Sequence, residues 1–244
     1  MISSFVLTVL IFFIALLYSS VGHAGGSGYL AAMALVGLPQ NQMKPTALLL
    51  NILVALIGSY KFYRTGNFSL RLFLPFAIAS VPFAVLGSAL TVSNHVYRWL
   101  VGGLLLFSAY RLFIDARRNC AQSVRPISFP LAMGSGLMIG LLSGITGTGG
   151  GIFLSPLLLI LRWASPQQSA AVSVVFILFN SIAGIFGNLR SLQNNTWGWI
   201  PWGISAVLGG YLGSSYGSRS SDVKIRRLLA FVLIVAGMKM ILIH

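Results

Sequence analysis

Residues 148–156 read Thr148-Gly149-Gly150-Gly151-Ile152-Phe153-Leu154-Ser155-Pro156. The glycines open an apolar piece, 152–162, that is too short to cross a hydrocarbon layer of ~30 Å, for which about 20 apolar residues are needed. A longer apolar run at 127–145 precedes them, so the chain enters, bends on glycine and returns as a hairpin. The first residues repeat the arrangement. An apolar run at 3–21 leads to Gly25-Gly26-Ser27-Gly28-Tyr29-Leu30, and a short apolar piece follows at 29–38.

Other landmarks recur in the same order. Gly28 answers to Gly151, Pro39-Gln40 to Pro166-Gln167, Asn51 with Gly58 to Asn180 with Gly187, Pro75 to Pro201, and Leu86-Gly87-Ser88 to Leu212-Gly213-Ser214. Two homologous halves are therefore expected, 1–119 and 126–244. Each carries one hairpin and three spanning helices, at 45–63, 71–91 and 96–114 in the first half and at 168–189, 198–217 and 226–243 in the second. The fold class is all-α, a polytopic integral membrane protein.

Composition agrees. Of 244 residues, 57% are hydrophobic and 7% charged, against roughly 25% charged in a soluble domain. Sixteen Lys and Arg stand against two acids, Asp115 and Asp222. That balance argues against carboxylate-pair catalysis, calcium loops and acidic proton relays. The lone Cys120 and the scattered His23, His95 and His244 argue against a metal, and no cofactor is expected. In this setting the net charge of +14 reads as contact with anionic lipid, with no nucleic-acid partner. A cleaved signal peptide is not expected at the first segment, which lacks a basic start and whose glycine cluster recurs.

Charge also sets orientation. If each glycine cluster is a hairpin tip, three spanning helices follow each hairpin, and the second half is inverted relative to the first. With the 111–125 loop in the cytoplasm, twelve basic residues lie inside and four outside: Lys44, Arg98, Arg190 and Lys239. Halves of equal orientation divide the same residues nine to seven, so the positive-inside rule favours inverted repeats.

The tips carry the chemistry. Gly25, Gly26 and Gly28, like Gly149, Gly150 and Gly151, permit positive φ and leave amide hydrogens uncovered, and each cluster opens a short helix whose positive dipole end faces the tip. That describes an anion site. Hydroxyls of Ser19, Ser20, Ser27, Ser143, Thr146 and Thr148 are further donors, and His23 stands at the first tip. Asn51 and Asn180 are amides deep within apolar helices and need partners. As the same residue at equivalent positions, they are expected to reach the central cavity or to brace a hairpin tip. Small residues also let membrane helices approach closely, which is the competing reading of the glycines. Pro82 and Pro156 are read as kinks or helix starts, and Tyr97, Trp99, Trp197, Trp199 and Trp202 as an interfacial belt.

The run Gly149 to Pro156, its degenerate copy from Gly25 to Met33, and the four-plus-four apolar segments resemble the TauE/SafE family of sulfite and sulfonate exporters. The resemblance implies a multi-pass permease of the bacterial cytoplasmic (inner) membrane that moves small sulfur-containing anions, usually outward. The expected partners are such an anion and the lipid bilayer, and a homodimer is left open. With no carboxylate for sodium or proton coupling, export driven by the membrane potential fits, worth ~2.3 kcal/mol per charge per 100 mV. An anion-selective channel and a non-transporting scaffold are the alternatives. An enzyme is not expected.

Overall fold

The computed structural model describes residues 2–20, 22–90, 92–115, 124–189 and 199–217, together with 234, 238, 241 and 242. All but four residues of the expected helix at 226–243 lie outside these, as do Arg117, Arg118, Cys120, Arg190, Trp197, Arg219, Asp222, Lys224, Arg226, Arg227, Lys239 and His244. The elements are helical throughout: α1 (Ile2–Ser20), α2 (Gly26–Val36), α3 (Gln40–Arg64), α4 (Leu70–Ala89), α5 (Asn94–Asp115), α6 (Phe129–Thr146), α7 (Gly151–Ile160), α8 (Pro166–Phe186) and α9 (Ile200–Gly217). Among the described residues, four helices are long and apolar enough to cross a membrane: Asn41–Arg64, Leu70–Ala89, Phe129–Thr146 and Pro166–Phe186. Large apolar side chains such as Phe13, Ile78, Leu86, Met138, Phe186 and Leu208 face outward. Such a coat suits lipid rather than water. The chain is a multi-pass membrane protein.

Local chemistry explains where the helices begin and end. Ser165 caps α8 through a reciprocal pair with Gln168, and Pro166 fills the first helical position. Gly25 and Gly150 open α2 and α7 at φ of 101° and 79°, while Gly37 and Gly147 close α2 and α6 at φ of 80° and 82°. These left-handed values suit glycine and strain other residues.

Two expectations need correction, the start of α3 and the place of Tyr97, and a third is narrowed. The helix expected from 45 begins at Gln40, which draws Lys44 out of a loop and into α3, where it is buried. Of the two roles expected for Pro82 and Pro156, a helix start does not apply, since both lie inside their helices, α4 and α7. Tyr97 is no belt residue: it is buried, and its hydroxyl donates to the Thr146 carbonyl at 3.3 Å. Trp99, by contrast, is exposed.

α3 and α8 form the centre and run antiparallel, with Leu48 against Gly184 and Gly58 against Val174. The two most extensive pairings are α4 with α6 and α1 with α9. Both are built on glycine. Gly136, Gly140 and Gly144 of α6 lie on the backbone of Phe76, Ser80 and Ala84, and Gly209 and Gly213 of α9 lie on Phe12 and Leu16 of α1. A β-carbon at any of these five would collide with main chain. Backbone contact this close is how membrane helices associate, because lipid offers no hydrophobic drive to join them.

Candidate functional site

The turn between α1 and α2 rests on α8, and the turn between α6 and α7 rests on α3. Gly22 abuts Ala170 near the start of α8, and Gly147 abuts Lys44 near the start of α3. Because α3 and α8 are antiparallel, these contacts fall at opposite ends of the central pair, and the tips overlap between them.

At the overlap stands Asn51. A β-carbon on Gly26, the first residue of α2, would lie 2.5 Å from the Asn51 Nδ2 and 2.5 Å from the Thr148 carbonyl oxygen. One on Gly149 would lie 3.1 Å from the same Nδ2 and 2.9 Å from the Ser181 Oγ. Asn51 is therefore wedged between both glycine clusters. Its side chain is fully buried, and among the described residues neither its oxygen nor its nitrogen has a hydrogen-bond partner. Buried polar groups are nearly always satisfied, and leaving one orphaned costs about 1–3 kcal/mol. Among the described residues, seven carry such orphaned side-chain atoms, and five of them surround the tips: Ser19, Tyr29, Asn51, Ser143 and Ser181. The Tyr29 hydroxyl faces Gly25, and Ser143 faces Gly150. Apart from the Asn51 oxygen, which can only accept, these groups can donate, and donors next to two helix N-termini are suited to a small anion.

The other residues named from the sequence divide between this site and its support. Gly150 caps α7 beside Phe176 and Ile139, and Gly151 packs on Ile177. Thr148 offers its carbonyl towards Gly26, while its hydroxyl pairs with that of Thr146 at 3.1 Å. Thr146 also donates to the Leu142 carbonyl, and Ser20 donates to Leu17, both at 2.7 Å, so these two hydroxyls serve their own helices. Ser27 meets the Tyr18 hydroxyl at 3.1 Å, and Gly28 lets α2 approach Ile14 and Tyr18, which closes the first hairpin. His23 reaches the opposite half, its Nε2 lying 3.1 Å from the Ser155 Oγ, which in turn donates to Ser173 at 2.7 Å.

Asn180 does not join Asn51. Its oxygen accepts from the Ser80 hydroxyl at 2.6 Å and its nitrogen donates to the Phe176 carbonyl at 3.0 Å, so it braces α8 against α4. The residue of α8 that faces the tips is its neighbour Ser181. Helix phase explains the exchange, since adjacent residues differ by about 100° around the axis. Of the two roles expected for Asn180, its hydrogen bonds fit bracing, here of α8 against α4.

The matching comparisons accord with this architecture. The family described as Sulfite exporter TauE/SafE matches residues 7–240. The chain belongs to the TauE/SafE family. Its relatives include a "Probable membrane transporter protein y4hK" from Sinorhizobium fredii, 40% identical over 96% of this chain and 97% of that protein. A second is "Probable membrane transporter protein ORF9" from Sinorhizobium sp, 27% identical over 92% of this chain and 86% of that protein. A third is "Probable membrane transporter protein YdhB" from Bacillus subtilis, 22% identical over 94% and 97%. No solved structure matches significantly. As a TauE/SafE protein the chain is a membrane transporter, and the glycine clusters that led to the family are the ones enclosing Asn51.

Proposed function

We propose that this protein exports small sulfur-containing oxyanions, of the sulfite, sulfonate or thiosulfate class, across the cytoplasmic membrane, and that the anion binds where the two hairpins overlap. The observation that carries the reading is Asn51, a fully buried amide without a hydrogen-bond partner among the described residues, held between Gly26 and Gly149. The first-turn amides of α2 and α7, with Asn51 and Ser181, supply the hydrogen bonds. None of these groups is acidic, so an anion meets no opposing charge.

The two-repeat reading is part of the proposal. Its support is the antiparallel course of α3 and α8, because equivalent helices run in opposite directions when the relating axis lies in the membrane plane. Equivalent contacts add to it: Gly87 rests on the Leu141 backbone as Gly213 rests on that of Leu16. Each hairpin is thus clasped by a spanning helix of the other half. Rocking one half against the other would tear the backbone contacts of Gly140, Gly144, Gly209 and Gly213, so the moving bodies pair α1 with α9 and α6 with α4.

The test is flux from proteoliposomes loaded with thiosulfate, sulfite or taurine. Saturable efflux of one of them, lost on Asn51→Leu, is expected. Protein that moves none of the three would overturn the reading, and flux linear in concentration would turn it into a channel.

A further inference from the structure

Among the described residues, Lys44 is the one charged side chain that is buried, at 8% exposure. Its Nζ donates to the Ser88 carbonyl at the end of α4, 2.9 Å away, which is the acceptor the structure gives it. The negative end of the α4 dipole answers part of its charge, but an ammonium has three hydrogens to donate and the carbonyl takes one. A bare cation withdrawn from water is costly unless an anion answers it. No carboxylate does so among the described residues.

Its position suggests what does. A β-carbon on Gly147 would lie 3.1 Å from the Lys44 Cγ, and Gly149 stands beside Asn51, so residues 147–149 follow α3 from Lys44 to Asn51. Those two residues are seven apart, on one face of α3 and about 10 Å from each other along its axis. The second tip therefore lies between the stem of Lys44, whose ammonium is held at Ser88, and an unpartnered amide. The pattern is one-sided. The positions of α8 equivalent to Lys44, 171–173, are Ala171, Val172 and Ser173.

We propose that Lys44 is the fixed counter-charge of the anion path, and that its ammonium, held at Ser88, makes the transporter prefer divalent oxyanions to monovalent ones. This rests on the anion reading of Asn51 and deepens it. The neutral donors around Asn51 respond to ligand shape, whereas a buried charge discriminates by ligand charge, because Coulomb energy scales with the product of the two.

The experiment measures binding of thiosulfate, a dianion, and methanesulfonate, a monoanion, to purified wild type, Lys44→Gln and Lys44→Arg. Gln retains a donor for the Ser88 carbonyl. Lys44→Gln should lose about 10- to 100-fold in thiosulfate affinity and much less for methanesulfonate, with Lys44→Arg close to wild type. Equal losses for both ligands, or none, overturn the inference while leaving Asn51 as the site. Wild type that binds neither anion removes the Asn51 reading and this one with it. Should Lys44→Gln fail to fold, the wild-type preference for thiosulfate is read at low and high ionic strength. A buried charge keeps the preference in salt, and a preference that is absent or screened away overturns the proposal.

Discussion

Asn51 of α3 and Ser181 of α8 converge on Gly149: a β-carbon there would sit 3.1 Å from the amide nitrogen of one and 2.9 Å from the hydroxyl of the other. Neither side chain has a hydrogen-bond partner among the described residues. The central pair of helices thus presents two unmet polar groups to the second hairpin tip, and the first predictions follow from comparing them with a neighbour that is satisfied.

Asn51→Leu should leave thermal stability unchanged or raise it, because it removes an orphaned amide, while abolishing anion binding. Asn180→Leu should do the reverse. It strands the Ser80 hydroxyl and costs about 1–3 kcal/mol, yet binding persists in the folded fraction. Thermal unfolding and ligand titration on the same samples separate the two; loss of binding in both variants would place Asn180 at the site.

Gly26→Ala should uncouple the hairpins. The added methyl would press on the Thr148 carbonyl and the Asn51 amide, each 2.5 Å from its position, while α2 itself tolerates alanine well. The expected result is normal helix content by circular dichroism with transport reduced about tenfold or more, as a displaced donor set would give. Full activity would mean that the tips separate freely.

Gly87→Ala and Gly213→Ala should be alike in effect, because Gly87 rests on Leu141 and Gly213 on Leu16 in equivalent ways. Each should destabilise by about 1–3 kcal/mol through overpacking against rigid backbone. Detergent-resistance melting curves check this, and a strong effect from only one of them would break the equivalence.

Cysteines introduced singly at Thr65 and Ser165, in a background with Cys120 replaced, should both be labelled from the cytoplasmic face. The first follows α3 and the second precedes α8, and the antiparallel pairing brings these ends together. Labelling from opposite faces would exclude inverted halves.

The fold was legible because its signals are repeated. Glycine clusters recur at Gly25 and Gly149, and the runs of apolar residues between charges mark helices whose ends agree with the structure to within a few residues, α3 excepted. The candidate site was legible only in part. Asn51 stood out because an amide in an apolar helix is conspicuous. Ser181 did not, because serine is common in such helices and only the pairing of α3 with α8 turns it to the tip. Lys44 was misread for a specific reason: a lysine before Pro45 looks like the end of a loop, and nothing local reveals that α3 starts four residues earlier or that the second hairpin covers it.

The clasp between opposite halves also bears on biogenesis. As α4 leaves the translocation machinery, the backbone at Phe76, Ser80 and Ala84 that Gly136, Gly140 and Gly144 will later cover has nothing to lie against, and α1 likewise waits for Gly209 and Gly213. The first half is inserted with its tightest joint unmade. A chain ended at residue 119 would leave those backbone surfaces uncovered and should be degraded faster in the membrane than the full chain.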